Sequence, residues 1–361
     1  MKPLKQVSDL IPYVPGKPVE ELERELGITG SIKIASNENP IGPSKLAISA
    51  LQKSIGELNR YPDGDCFYLK KILAEKLGVK ESNLIIGNGS NEVIEIIART
   101  YLSDKDEAVY GEHAFIVYPI VTQAIGAGHV VSPMPELVHD LEDFASRITD
   151  KTRIIFLANP NNPTGTIFRK SEFEKFLDRV PDNVIVIVDE AYFEYVEDKE
   201  YPDSLEYLNL GKNIVTVRTF SKIYGLAGLR VGYGIGNEEI ISYVNRVREP
   251  FNVNSLAQAA AEAALDDTEH IERTKSINNT GMEYLAAEFE RLGIPYIPSY
   301  TNFILMDLET DPMPVYNSLL KEGVIVRPVG GYGLKSHLRV SVGLEEENKR
   351  FVTALEKVLK K

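Results

Sequence analysis

The sequence has little cysteine and no long apolar run. Its 361 residues include one cysteine, Cys66, so no disulfide can form within the chain. No apolar stretch approaches the length of a membrane span, and the first residues lead to no apolar core of the kind found in secretion signals. We therefore expect a cytoplasmic protein.

Basic residues and histidines are also scarce. The chain has 40 lysines and arginines against 53 aspartates and glutamates, a net charge of −13, which argues against nucleic acid and anionic membranes as partners. Its five histidines show no HExxH motif or other ligand spacing, so we expect no metal site. The length exceeds one typical domain, which indicates a large enzyme of two domains.

The most informative segment covers residues 219–230, with the sequence TFSKIYGLAGLR. It places Lys222 directly after a hydroxyl residue and eight residues before Arg230 in a Gly-rich turn. A partly buried lysine can lose its proton and attack an aldehyde, while hydroxyls and a guanidinium hold a phosphate. An aldehyde that carries a phosphate is pyridoxal 5'-phosphate. The alternative is a surface lysine in a loop after a strand.

A carboxylate and a phenol follow a second apolar run. Residues 184–188 (VIVIV) have the length and composition of a buried strand, Asp189 comes directly after them, and Tyr192 follows three residues later. In open α/β sheets ligands bind at the carboxyl ends of strands, where a carboxylate can pair with a protonated pyridine nitrogen. Tyr192 could donate to the ring hydroxyl. An aspartate after a strand can also simply cap the next helix.

A third polar motif, residues 159–165 (NPNNPTG), follows the predicted strand 153–158. Its two prolines exclude a helix and fix a rigid loop at the same edge of the sheet. The amide of Asn162 can bond the phenolic oxygen of the cofactor. Taken alone, the motif is equally typical of an ordinary turn.

Together these motifs resemble the fold-type I aminotransferases of the aspartate aminotransferase family, over nearly the whole chain. The resemblance implies pyridoxal 5'-phosphate as cofactor and an α/β fold, in which a large domain with a mostly parallel seven-stranded sheet is joined to a smaller α+β domain. It implies that Lys222, Asp189 and Tyr192 are catalytic, and that Asn162 shares the ring oxygen with Tyr192. The remaining cofactor contacts that it implies come from Gly89, Ser90, Asn91, Phe115, Thr219, Ser221 and Arg230.

The turn that contains Gly89 also predicts an anion site from its residue types alone. Residues 84–91 (LIIGNGSN) predict a short strand entering a Gly-rich turn and then a helix, whose first N–H groups form an anion site. Gly87 and Gly89 nearly complete a dinucleotide fingerprint. The third glycine is absent, so we reject a nicotinamide cofactor.

The predicted domains follow the order of the apolar runs. Residues 1–30 contain four prolines and predict an extended N-terminal arm. Strand-like and amphipathic segments alternate through residues 31–254, which indicates a mostly parallel sheet between helices in a large cofactor-binding domain. Residues 255–361 predict the small C-terminal domain.

Four local features resemble the branch of the family that uses histidinol phosphate. They are IPYVPG with Tyr13, ASNENPIGPS with Asn37, NRYPD with Tyr61, and two strand-like segments with Arg327 and Arg339. The resemblance implies that Tyr13, Asn37, Arg327 and Arg339 bind substrate, and that Tyr61 reaches the partner's cofactor in a homodimer. Glutamate and 2-oxoglutarate would serve the second half-reaction, in histidine biosynthesis.

Three alternatives stay open at this point. An aromatic amino acid aminotransferase is the nearest, because a pocket for imidazole also admits a phenyl ring. A pyridoxal-phosphate-dependent phosphothreonine decarboxylase has the same fold. A non-catalytic regulatory domain is less favoured, since Lys222 is intact and no helix-turn-helix segment precedes residue 30.

Overall fold

The computed structural model describes residues 1–208 and 210–360. Among these residues no helix combines the length and the apolar character that a membrane span requires. In chain order, the strands are β1 (Ile32–Lys33), β2 (Leu84–Gly87), β3 (Glu107–Gly111), β4 (Gly128–Ser132), β5 (Thr152–Ala158), β6 (Ile185–Asp189), β7 (Ile214–Thr219), β8 (Gly232–Gly236), β9 (Tyr296–Ile297), β10 (Phe303–Asp307), β11 (Val324–Ile325), β12 (Arg327–Pro328) and β13 (His337–Ser341).

Several helices begin at residues whose side chains accept a hydrogen bond from the first turn, as Ser44, Asn237 and Asn254 do. The helices are α1 (Lys5–Ser8), α2 (Val19–Leu26), α3 (Lys45–Ser54), α4 (Phe67–Leu77), α5 (Ser90–Tyr101), α6 (Val117–Ile125), α7 (Leu141–Ser146), α8 (Lys170–Arg179), α9 (Glu238–Val247), α10 (Ser255–Ala264), α11 (Thr268–Leu292), α12 (Met313–Lys321) and α13 (Glu345–Leu359).

A seven-stranded sheet organises the larger part of the molecule, in the order β2-β8-β7-β6-β5-β3-β4. Strands β7, β6, β5, β3 and β4 are parallel neighbours, while β8 runs antiparallel to both β7 and β2. The mostly parallel sheet predicted from the sequence is confirmed. Ala158 at the end of β5 pairs with Asp189 at the end of β6, so the polar motifs meet at one edge.

The central strand β6 is apolar up to Asp189 because helices cover both faces of the sheet. Side chains of β6 alternate between two buried clusters, with Ile187 on one face and Val186 and Val188 on the other. Burying each side chain of this size contributes about 1.5–3 kcal/mol. The sheet is therefore a rigid base for the loops that leave its carboxyl edge.

A second unit contains the four-stranded sheet β12-β13-β10-β9, with α11 and α13 packed against its apolar side. The short strand β1 pairs with β11 in parallel, although it precedes the large sheet in sequence. Helix α10 packs against α3 rather than against this unit. The domain boundary near residue 254 stays a prediction.

The N-terminal region differs from the extended arm that the prolines suggested. Residues Val19–Leu26 form α2, and Leu22 is fully buried against Ala35 and Ile325. The apolar face of this helix offsets the cost of ordering the segment, and the prolines lie outside it.

Candidate active site

A cavity of about 230 Å³ lies at the carboxyl edge of β5, β6 and β7. Most of the residues predicted for a cofactor site line it: Ser90, Asn91, Phe115, Asn162, Asp189, Tyr192, Thr219, Ser221, Lys222 and Arg230. A larger cleft of about 640 Å³ beside α7 and α8 contains none of them. The three strand-end motifs therefore converge in space as the sheet topology requires.

Lys222 lies three residues beyond β7, and its Nζ donates to the backbone oxygen of Asn37 at 3.3 Å. Burial lowers the pKa of this amine to about 8, and the positive charge of Arg339 acts in the same direction. At pH 7 roughly a tenth of such an amine is neutral, against well under a thousandth at the ordinary value. A fraction of the Lys222 amine is thus able to take up a proton at neutral pH.

Asp189 is the last residue of β6 and is 5% exposed. Its Oδ2 accepts from the Tyr118 hydroxyl at 2.9 Å, and its Oδ1 accepts from the N–H of Ala191 at 3.2 Å. Burial raises the pKa of the carboxyl to about 6, and these two hydrogen bonds oppose that effect. Because both bonded partners are uncharged, the carboxylate can pair with a cationic group in the cavity.

Tyr192 and Asn37 form a hydrogen-bonded pair. The Asn37 amide donates to the Tyr192 hydroxyl at 2.9 Å, and the Asn37 Oδ1 accepts from the Ser341 hydroxyl at 2.9 Å. Burial raises the pKa of Tyr192 to about 12, so the phenol keeps its proton at neutral pH. Since the phenol already accepts from Asn37, its proton is free to be donated to a ligand.

One end of the cavity is built to bind an anion. Gly89 caps α5 with a φ of +84°, and a Cβ at this position would lie 2.6 Å from an Arg230 nitrogen. The positive φ favours glycine at this position, and the absence of a Cβ lets the guanidinium come close to the helix start. The helix start and the guanidinium both favour a bound dianion.

Two hydroxyls beside this helix start are already arranged to face a ligand. Thr219 Oγ1 donates to Ser221 Oγ at 3.0 Å, and it also accepts from the Ser221 N–H at 3.1 Å. Both residues are buried and both line the cavity. They can complete the oxygen-binding end that Arg230 and α5 begin.

Arg339 borders the cavity through Asn162, because its guanidinium donates to the Asn162 side-chain oxygen. It also donates to the Ala35 backbone oxygen at 2.9 Å, and only 5% of the residue is exposed. Its Nε has no hydrogen-bond partner among residues 1–208 and 210–360. This guanidinium is buried, charged and incompletely bonded, which suits an anionic ligand.

Six of the predicted residues do not line the cavity. Gly89, Asn37 and Arg339 contact residues that do, whereas Tyr13, Tyr61 and Arg327 lie further out. Arg327 donates to the Val14 backbone oxygen at 2.9 Å, and its guanidinium carbon lies 5.2 Å from the centre of the Tyr13 ring. Tyr61 is 82% exposed and stacks on Phe251, with 4.8 Å between ring centres. Within one chain, therefore, Tyr61 does not reach the cavity, and its predicted role at a partner's cofactor stays a prediction.

The sequence-based interpretation missed several polar groups at the site, among them Tyr118, Ser341 and Asn302. Asn302 donates to the same Asn37 oxygen that Lys222 contacts, at 3.0 Å. Ser341 lies in the predicted strand that carries Arg339, but nothing in the sequence indicated that this strand meets Asn37. Tyr118 lies in the first turn of α6, three residues after Phe115, and the sequence carried no signal for its contact with Asp189.

The chain matches a family model described as aminotransferase class I and II over residues 29–355. The histidinol-phosphate aminotransferase 2 of Pseudomonas fluorescens is 52% identical, over 98% of this chain and 96% of its own length. The protein of the same name from Pseudomonas aeruginosa is 53% identical, with the same coverage.

Solved structures give a consistent result. The crystal structure of histidinol-phosphate aminotransferase from Sinorhizobium meliloti, in complex with pyridoxal-5'-phosphate, superposes with a TM-score of 0.92 at 26% identity. The match covers 99% of this chain and 97% of that one. The L-threonine-O-3-phosphate decarboxylase of Porphyromonas gingivalis has a TM-score of 0.81 at 22% identity, over 91% of this chain and 100% of that one, a likeness of fold alone.

Proposed function

The chain belongs to the class I and II aminotransferases, and on this premise we propose that it transfers the amino group of histidinol phosphate to 2-oxoglutarate. The products would be imidazole acetol phosphate and glutamate, in histidine biosynthesis. The observation that carries the proposal is the similarity to relatives of that name, at about half of all positions over nearly the whole chain. The family predicted from the sequence is thereby confirmed, and so is its α/β fold.

The cofactor of this enzyme is pyridoxal 5'-phosphate, and the residues that line the cavity fit it. The buried Asp189 carboxylate suits the pyridine nitrogen, while Arg230 and the start of α5 suit the phosphate. When bound, this cofactor takes up the electron pair that the substrate carbon releases. We propose that Tyr192 and Asn162 bond the ring oxygen and that Phe115 stacks on the ring face. The residues that we propose to contact the phosphate are Gly89, Ser90, Asn91, Thr219 and Ser221.

Lys222 is proposed as the base that takes the proton from the substrate carbon and later returns it. Its lowered pKa leaves a useful fraction of free amine at neutral pH. The Asn37 backbone oxygen holds the amine beside the Tyr192 ring, whose centre is 5.5 Å from Nζ. This contact would keep Lys222 close to the reacting carbon while its proton moves.

Arg339 is proposed as the shared anion site of the two half-reactions. Histidinol phosphate has no α-carboxylate, so its phosphate would occupy the place that the glutamate carboxylate takes in the other half-reaction. Burial of Arg339 and the free Nε support this role. Arg327 lies over the Tyr13 ring in the N-terminal segment. We propose that these two residues, together with Asn37, also contact the substrate.

We further propose a homodimer in the cytoplasm, with Tyr61 serving the partner's cofactor. The exposure of Tyr61 and its apolar neighbours supports an interface on this face of the molecule. The exposed apolar residues of α3, α4 and the segment between them are Leu46, Ile48, Ile55, Leu58, Phe67 and Tyr68.

Turnover with three amino compounds tests the proposed substrate. We expect histidinol phosphate to react with the highest kcat/KM, phenylalanine to react more slowly, and phosphothreonine to lose no carbon dioxide. A higher kcat/KM with phenylalanine would replace the proposal by an aromatic amino acid aminotransferase. Release of carbon dioxide from phosphothreonine would replace it by the decarboxylase.

A further inference from the structure

Tyr118 is buried next to the cavity, and its hydroxyl bonds Asp189. It lies in the first turn of α6, three residues after Phe115, and it has no exposed surface. Its hydroxyl donates to Asp189 Oδ2 at 2.9 Å. A single short segment therefore presents Phe115 to the cavity and Tyr118 to the carboxylate behind it.

Aromatic neighbours fix the Tyr118 ring. It stacks almost flat on Phe156, with 4.8 Å between ring centres and 6° between planes. Phe115 meets it edge to face at 5.8 Å. Phe156 belongs to β5, beside the strand that carries Asp189, so the sheet holds the hydroxyl and the carboxylate in a fixed relation.

We propose that Tyr118 is a positioning residue for the cofactor: its hydroxyl orients the Asp189 carboxylate and keeps it ionised, so that the carboxylate can pair with the pyridine nitrogen. The inference rests on the proposed role of Asp189. Tyr118 itself does not line the cavity, and its hydroxyl reaches the site only through Asp189.

The charges around Asp189 explain why the carboxylate needs this donor. The groups that face it are Tyr118 from α6, Glu190 and Tyr192 from its own segment, and Lys222 from the loop after β7. Burial and the charge of Glu190 favour the neutral acid, while Lys222 and the two hydrogen bonds favour the anion. Removal of the Tyr118 hydroxyl shifts this balance toward the acid.

The Tyr118 phenol keeps its proton around neutral pH and can act as a donor there. Burial and the neighbouring Asp189 charge hold the pKa of its phenol well above the ordinary value. The hydroxyl therefore does not become a competing anion near neutral pH. Its loss would raise the pKa of Asp189, so cofactor binding would begin to fail at a higher pH as the solution is acidified.

The test is the pH dependence of pyridoxal 5'-phosphate binding to apoenzyme, followed by absorbance, for wild type and Tyr118→Phe. We expect the acid limb of the affinity profile to move up by roughly one to two pH units, the scale of a hydrogen bond to a charged group. Tyr110→Phe is the matched control. Its ring is buried in the same apolar cluster as Tyr118, but its hydroxyl bonds His129 at 2.6 Å rather than Asp189, so its profile should match that of wild type.

A second substitution should shift the acid limb in the opposite direction while it keeps the shape of the ring. Replacement of Tyr118 by 3-fluorotyrosine makes the phenol a stronger donor, so the acid limb should move to lower pH. If Tyr118→Phe fails to fold, the 3-fluorotyrosine variant alone tests the role of the Tyr118 hydroxyl. A folded variant with an unmoved acid limb overturns the inference. Wild-type apoenzyme that binds no cofactor overturns the proposed function instead, so the two failures are distinguishable.

Discussion

At the scale of single residues, burial has opposite effects on the two principal groups of the site. It lowers the pKa of Lys222 to about 8 and raises that of Asp189 to about 6, because in both cases it disfavours the charged form. The sequence predicted both residues, since each follows a strand-like run. It did not predict Tyr118, because a tyrosine within an apolar helix carries no sign of the carboxylate that it meets.

The charge of Asp189 is central to the proposed mechanism. Asp189→Asn keeps the shape of the side chain and removes the charge, so kcat should fall by about 100-fold or more while the Tm changes little. Glu174→Asn, on the outer helix α8, is the control and should leave kcat unchanged. Near-normal turnover by Asp189→Asn would mean that another group fulfils this role.

Arg339 should affect both substrates together. Arg339→Lys keeps the charge and loses the forked geometry, so each half-reaction should lose about 1–3 kcal/mol of binding per lost charge-assisted bond. Single-turnover measurements with glutamate and with histidinol phosphate separate the two. A loss confined to glutamate would indicate that the substrate phosphate is bound elsewhere.

At the scale of elements, the local signals were sufficient for strands and turns but not for their distant pairing. The alternation of apolar runs predicted the parallel sheet, and the Gly-rich turn before α5 was recognised. The pairing of β1 with β11 was not, because it joins segments far apart in the chain and two residues carry no periodicity. The same limit hid the packing of α2 against Ile325.

The turn before α5 gives a prediction at this scale. Gly89→Ala places a Cβ against Arg230 at a positive φ, so the affinity for pyridoxal 5'-phosphate should fall by at least about tenfold, with a stability cost of about 1 kcal/mol. Gly228→Ala in the neighbouring turn is the control, since a Cβ there meets nothing within 4 Å. Equal cofactor affinities in the two variants would contradict the assigned anion site.

At the scale of the whole molecule, residues of one chain line the cavity, and Tyr61 of that chain is not among them. The fold class followed from the sequence, because the order of motifs and strands is typical of the family. The assembly did not follow from residue chemistry, since a surface that buries itself against a symmetric copy resembles any exposed apolar patch. We propose that such a copy binds at Tyr61 and its exposed apolar neighbours on α3 and α4.

A mixing experiment tests the proposed sharing of sites. Each heterodimer of Lys222→Ala and Tyr61→Phe chains should contain one site in which both residues are native, with roughly half the activity of wild type. Each parent alone should be impaired. Activity of the mixture no higher than the average of the two parents would indicate that Tyr61 acts within its own chain.

The most direct test of the central claim, that the cavity at the ends of β5, β6 and β7 holds the cofactor on Lys222, is chemical labelling. Borohydride reduction of the holoenzyme attaches pyridoxal 5'-phosphate permanently to the lysine that carries it, and peptide mapping identifies that lysine. We predict a single label on Lys222. A label on any other lysine would contradict the account.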